Sequence, residues 1–434
     1  MLYFDTNFTK VGKANLSLLK EIHISIETAN VQGTWHLDDV IADIISILSP
    51  EEYLAEYEWS LSKLLDYRDE KLKMVLAGWS ASNGGRAVDD FTSYKNVYRF
   101  DLTLPTFTEA YKITGNKTYL EIARESFDGA INYLYNPRTQ LFSTGWNSTS
   151  ETYIDKLEIL WGAITLNSMY DFYSVFPNKI YLIYANNFAR ALHTYGINWT
   201  TNIPHHLISV SSGCVITRDA CVPMDIARLI GAYIKAYEVT SMDAFKGWAK
   251  DLAQAFWAKR NESTNLVPLR IDSNGTVIDD YCKPNLDPIQ NVLLYAYEIT
   301  KDDFYLSLTV NLTDAQLTYA WFQELSRTVQ SVWTNGSIRL FYLDLVDGPQ
   351  LYVAGLYQLS YYTSINTYLT YAEKIWNTIR NNGLVNNVYV TELGWENHPP
   401  NDRSNIYTQQ MMVQCDAYLF HFTKNQTYLD DLKS

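Results

Sequence analysis

The chain repeats itself. The stretch AYKITGNKTYLEIA, residues 110–123, returns in outline as YEVTSMDAF at 237–245, YEITKDDFYL at 297–306, YYTSINTYL at 361–369 and FTKNQTYL at 422–429. Aligned on their aromatic residue, the echoes fall at Tyr53, Tyr119, Tyr181, Phe245, Tyr305, Tyr368 and Tyr428, in steps of 60 to 66 residues. A period that regular marks stacked supersecondary units, none of which buries its apolar face alone. It overrides the about two or three domains that 434 residues would suggest, because repeats build one large unit.

Each unit reads alike. A helix rich in Leu, Ala, Tyr and Ile runs to a short turn of Gly, Asn, Asp or Ser, and a more amphipathic helix starts just ahead of the aromatic residue. Around the first echo the two helices are expected at about 96–114 and 117–134. The second carries Tyr119, Leu120, Ile122, Ala123, Phe127, Ile131 and Leu134 at helical spacing. Thr114 or Asn116 can cap its first amides, and Gly115 supplies the turn. After each amphipathic helix comes a short strand-like link, at 74–82, 140–148, 205–212, 266–277, 337–345 and 387–395. This gives six amphipathic helices starting near 51, 117, 179, 243, 303 and 367, and six buried ones starting near 96, 153, 222, 285, 347 and 405. The fold class is all-α: a ring of six hairpins, buried helices inside and amphipathic ones outside, with turns on one rim and links on the other.

This order and spacing resembles the (α/α)6 toroid of the six-hairpin glycosidase superfamily. The likeness covers about residues 50–425, which makes 50–434 the toroid domain and leaves 1–49 as an N-terminal extension, with a helix expected at 37–48. Such a resemblance implies glycoside hydrolases, unsaturated uronyl hydrolases, sugar epimerases or polysaccharide lyases, and does not choose among them.

Helix N-termini and links meet on one rim, where polar ligands are favoured. Carboxylates crowd there, among them Asp155, Asp219, Asp225 and Asp287. Glycoside hydrolysis needs one protonated carboxyl and one ionised one, and crowded like charges hold one protonated. The adjacent pairs Asp89–Asp90 and Asp279–Asp280 are the catalytic candidates, one from each pair. The ordinary role of such residues is helix capping. Gly-Trp recurs at Trp79, Trp146 and Trp395, as sugar-stacking rings or as plugs closing each hairpin. Trp395, Glu396 and Arg403 share an unusual proline-bearing loop, and Tyr281 follows the second acidic pair. Arg99, Arg218 and Arg403 could hold a uronate carboxylate, or serve as structural ion-pair partners. His205–His206 lies in a strand-like segment, where neighbouring side chains point apart, which disfavours a metal site. No metal and no cofactor is expected.

A net charge of −14 argues against a nucleic-acid partner, and no apolar run approaches the about 18 residues of a membrane span. Ten Asn-X-Ser/Thr sequons, at Asn7, Asn15, Asn116, Asn147, Asn198, Asn261, Asn274, Asn311, Asn335 and Asn425, point to a secreted or cell-surface glycoprotein. Four cysteines fit export: Cys214 with Cys221 and Cys282 with Cys415 is one of three pairings that spacing leaves open. The expectation is an extracellular carbohydrate-active enzyme acting on an oligosaccharide or polysaccharide, foremost a glycoside hydrolase. Its rivals are a uronate lyase or sugar epimerase, and a non-catalytic surface glycoprotein.

Overall fold

A computed structural model describes residues 50–76, 97–217, 223–284, 289–329, 331–340, 349–385 and 388–389. The extension at 1–49, including the helix expected at 37–48, lies outside the described residues, as does the sixth inner helix expected near 405.

The outer helices are α1 (Pro50–Leu65), α3 (Lys117–Tyr133), α5 (Lys179–Gly196), α7 (Asp243–Trp257), α9 (Asp303–Tyr319) and α11 (Asn366–Gly383). Between them run the inner helices α2 (Phe100–Thr114), α4 (Ile159–Val175), α6 (Pro223–Thr240), α8 (Ile289–Thr300) and α10 (Pro349–Thr363). Successive inner helices pack side by side, α2 on α4, α4 on α6, α6 on α8 and α8 on α10, and each also packs on its outer mate. The layering follows from sequence. The inner helix α4 (ILWGAITLNSMYDFYSV) is apolar nearly all round. The outer helix α3 buries one face through Tyr119, Ile122, Ala123, Phe127 and Ala130. The aromatic residues that define the period become core: Tyr119, Tyr181, Phe245, Tyr305 and Tyr368 are all buried.

The recurrent stretch is the turn from inner to outer helix. In four turns a threonine ends the inner helix: Thr114, Thr240, Thr300 and Thr363. Its hydroxyl donates to the carbonyl four residues back, at 2.7, 2.6, 2.6 and 2.6 Å. The same oxygen accepts from the backbone N–H two residues on, in Asn116, Met242, Asp302 and Ile365. The residue between, Gly115, Ser241, Lys301 or Ser364, is left-handed, with φ from +54° to +68°. That geometry satisfies a carbonyl orphaned at the helix end. Asn116, Asn178 and Asp302 then cap the outgoing helix.

The links obey a second rule. In four of them Asp69, Asn136, Asn198 or Asn261 accepts on Oδ1 from the N–H two residues ahead, at 2.8 to 3.0 Å. Four residues after each comes a left-handed residue, Lys73, Gln140, Asn202 or Asn265. The next residue, Met74, Leu141, Ile203 or Leu266, is fully buried. Threonines in this loop latch neighbouring hairpins together. Thr139 donates to the Val210 carbonyl, Thr201 to that of Ser273 and Thr264 to that of Thr334, at 2.6, 2.6 and 2.5 Å.

All six expected links contain a strand, and the links also pair across the rim with the residue run before an inner helix. Arg99 pairs with Gly145, Leu157 with Ile208 and Cys282 with Val332. This explains why α2 and α4 begin later than their composition suggests: Val97–Arg99 and Leu157–Glu158 pair with a neighbouring link instead of joining the helix.

Candidate active site

The first turns of adjacent inner helices hold polar and aromatic groups on the link rim: Asp101 in α2, Trp161 in α4 and Asp225 in α6. Arg99 ends the strand Val97–Arg99 that feeds α2. Its Nε donates to Asp101 Oδ1 at 2.6 Å, and its Nη2 donates to Oδ2. The guanidinium carbon stands 4.9 Å from the centroid of the Trp161 ring. Burial pushes the Asp101 carboxyl up, while the hydrogen bonds and charge of Arg99 pull it back down. A buried fork already engaged with Asp101 is not presented to a uronate, the role its position suggested. It fastens α2 to α4.

One step round the ring, the link contributes His206. Its carbonyl accepts from Ile159 N–H at the start of α4 (3.1 Å). Its Nδ1 lies 3.6 Å from Asp225 Oδ2, and the imidazole is 34% exposed against 4% for the carboxylate side chain. Asp225 lies in the first turn of α6. The result is an imidazole open to solvent on one side, with a buried carboxylate behind it. Imidazole is the side-chain type used most often as a general acid or base, and a carboxylate behind it can fix its orientation. The sequence showed both residues, Asp225 as a rim carboxylate and His206 in a link. Their meeting was hidden because it depends on how a strand of one hairpin reaches the next inner helix.

The other sequence candidates are placed as follows. Asp279 lies on the strand Val277–Asp279 and pairs with Arg270 Nη1 at 3.3 Å. Asp280 accepts from the Thr334 hydroxyl and, through its carbonyl, from Thr334 N–H at 3.2 Å. Each is bound within the links, to a partner of its own. Tyr281 lies beneath Arg339, 3.9 Å from guanidinium to ring centroid, and edge-on to Trp333. Trp146 stands opposite Tyr98 and Tyr153 in the sheet and meets Tyr133 of α3 edge-on at 5.7 Å. It therefore packs against the outer layer, as a plug would. Gly145 precedes it because a Cβ there would sit 2.7 Å from the Tyr98 carbonyl oxygen. Asp155 accepts from Ser209 and Ser211 and so ties the run before α4 to the link that follows α5. Asp89, Asp90, Trp79, Trp395, Glu396, Arg403, Arg218, Asp219 and Asp287 lie outside the described residues.

Cys214 is exposed and Cys282 buried; Cys221 and Cys415 lie outside the described residues. Asn116, Asn274, Asn311 and Asn335 are exposed, and Asn147, Asn198 and Asn261 are partly so. Asn7, Asn15 and Asn425 are outside. Among the described residues no three His, Cys, Asp or Glu side chains form a metal-binding group. No helix among them is long and apolar enough to cross a membrane.

No family model and no curated protein matches the chain. Solved structures do. Cellobiose 2-epimerase from Bacillus thermoamylovorans superposes with a TM-score of 0.61 at 14% identity, over 86% of this chain and 100% of that one. A D-mannose isomerase gives 0.62 at 14% identity, over 86% and 98%. The GH76 alpha-mannanase of Bacteroides thetaiotaomicron gives 0.53 at 13% identity, over 89% and 100%. At such identities the likeness is one of architecture, and with the hairpin order above it establishes that this chain has the (α/α)6 toroid fold.

Proposed function

We propose that the protein is a carbohydrate-active enzyme working on the link rim, with His206 exchanging a proton with the sugar and Asp225 orienting it. The observation that carries this reading is the 3.6 Å approach of a half-open imidazole to a buried carboxylate. Both reactions take a proton from the carbon beside the open sugar's carbonyl to give an enediol; epimerisation returns a proton to the other face of that carbon, and isomerisation returns it to the former carbonyl carbon. A neutral imidazole accepts that proton, and the carboxylate behind it stabilises the imidazolium. The epimerase and isomerase are also better superposed than the mannanase. Sugar epimerase or isomerase is therefore the first reading, acting on a mono- or oligosaccharide.

Glycoside hydrolysis is the second. It is favoured by the acidic rim and by the mannanase likeness, with one carboxylate from Asp89 or Asp90 and one from Asp279 or Asp280. Surface-exposed sequons support a secreted or cell-surface setting for either. Incubating the protein with mannose, glucose, cellobiose and α-mannan in D2O separates the readings. Epimerisation places deuterium on a sugar carbon, seen by NMR, and His206→Asn slows it at least about 100-fold. New reducing ends without carbon-bound deuterium, undiminished in His206→Asn, would instead support hydrolysis. No turnover on any of the four sugars would sink both readings in favour of a non-catalytic role.

A further inference from the structure

The links supply their own control experiment. In four of them the residue after the left-handed position is Met74, Leu141, Ile203 or Leu266, each fully buried. In the fifth, Ser326 takes the left-handed position at φ +49°, and Arg327 follows. Arg327 is only 6% exposed. It pairs through its backbone with Phe322 in the hairpin Trp321–Phe322/Arg327–Thr328, which packs beside α11. Trp321 meets Tyr371 of α11 edge-on at 4.5 Å. Among the described residues no carboxylate pairs with the Arg327 guanidinium and no aromatic ring lies under it. Burial alone drags its pKa down to about 9.

A buried cation without a counter-ion is strongly unfavourable, and well-packed apolar residues in its place are neutral or stabilising. The sister links show that apolar residues fill this slot. A residue that breaks its own repeat's rule at a cost in stability marks a functional position.

We infer that Arg327 is the seat of an anion site that takes the carboxylate or sulfate of an acidic sugar, the guanidinium offering its planar fork to two oxygens. The sugar part rests on the function proposed above; the anion site does not.

The test is thermal melting of the wild type and Arg327→Leu with glucuronate, glucose 6-sulfate, glucose and inorganic sulfate. Without ligand, Arg327→Leu melts a few degrees higher. Glucuronate or glucose 6-sulfate at millimolar concentration raises the wild-type midpoint, glucose does not, and the variant responds to neither acid. Which acid acts identifies the oxyanion. Sulfate stabilisation lost in the variant, with no effect of either sugar acid, would keep the anion site and remove the sugar. A lower ligand-free midpoint in Arg327→Leu, an anion response that survives in it, or no anion response in the wild type would each overturn the site. None of these readouts depends on turnover, so loss of the His206 chemistry leaves them intact.

Discussion

The two rims of the ring are built to different rules. On the turn rim, four turns repeat one pattern of threonine, left-handed residue and short descent into the next helix, with bond lengths matching to about a tenth of an ångström. Each bond of that pattern joins a residue to its own hairpin. On the link rim the loop also repeats, but its threonines reach across to the next hairpin. The residues beyond the loop diverge, giving His206 in one link, Asp279 and Asp280 in another and Arg327 in a third. A pattern that only closes hairpins can be copied unchanged. Bonds across the links instead join residues 54 to 72 apart, such as Thr334 with Asp280 and Thr201 with Ser273.

The difference has a measurable form: link bonds carry more stability per threonine than turn bonds. Thr264→Val removes a hydroxyl from a buried latch and strands the Thr334 carbonyl, inside a residue 2% exposed. The expected loss is about 2 kcal/mol, from the usual cost of an unsatisfied buried acceptor. Thr240→Val breaks a partly buried bond within one helix end and should cost about half as much. Urea unfolding of both variants checks the ratio. Equal losses would erase the distinction between the rims.

On the turn rim the left-handed residue sets the next effect. Gly115 has φ +68° and no atom within 4 Å of where a Cβ would stand, so Gly115→Ala meets conformational strain alone, about 1 kcal/mol. Ser241 holds the same conformation with a side chain, at φ +56°. Ser241→Gly should therefore gain up to about 1 kcal/mol, and neither variant should change turnover. A loss of stability in Ser241→Gly would mean that its side chain contributes something its sister turns lack.

The contrast also explains what was legible in the sequence. The turn was readable from TGN, TSM, TKD and TSI because local hydrogen bonds act within a few residues. Apolar periodicity likewise gave five described inner helices and six outer ones. The six strand-like links were readable too, but their partners were not, because strand pairing such as Arg99 with Gly145 is set by neighbours far along the chain. Composition picked out Asp279 and Asp280, whereas the structure ties each to its own partner and brings His206 to Asp225. The sequons were read as glycan sites, but Asn198 and Asn261 also open the link loop, their Oδ1 atoms accepting from Thr200 and Ser263 N–H. Asn136 performs the same task in a sequence that is no sequon. At these positions the loop's own grammar writes Asn-X-Ser/Thr, and Asn116 as a helix cap and Asn335 in its turn accept in the same way, so export has to be argued from Asn274 and Asn311.

The smallest expected effect probes the link rim through pH. His193, in the last turn of α5, stacks on Trp248 at 3.9 Å and meets Trp199 of the following link edge-on at 4.7 Å. Its Nδ1 is buried without a hydrogen-bond partner, and burial holds the imidazole down to about 4. Unfolded, it returns to about 6.5. Between those values the unfolded chain binds a proton that the folded chain refuses, so the contribution of His193 is complete above about pH 6.5 and drains away as pH falls toward 4. Because the ring is only partly shielded from water, the loss is about 1 kcal/mol, well short of the full linkage value. His193→Phe keeps the ring stack without the proton. Its melting midpoint should therefore gain on the wild type as pH drops from 7 to 4.5. Parallel curves for the two proteins would show that the imidazole is solvated, and that the link rim is open where the stack closes it.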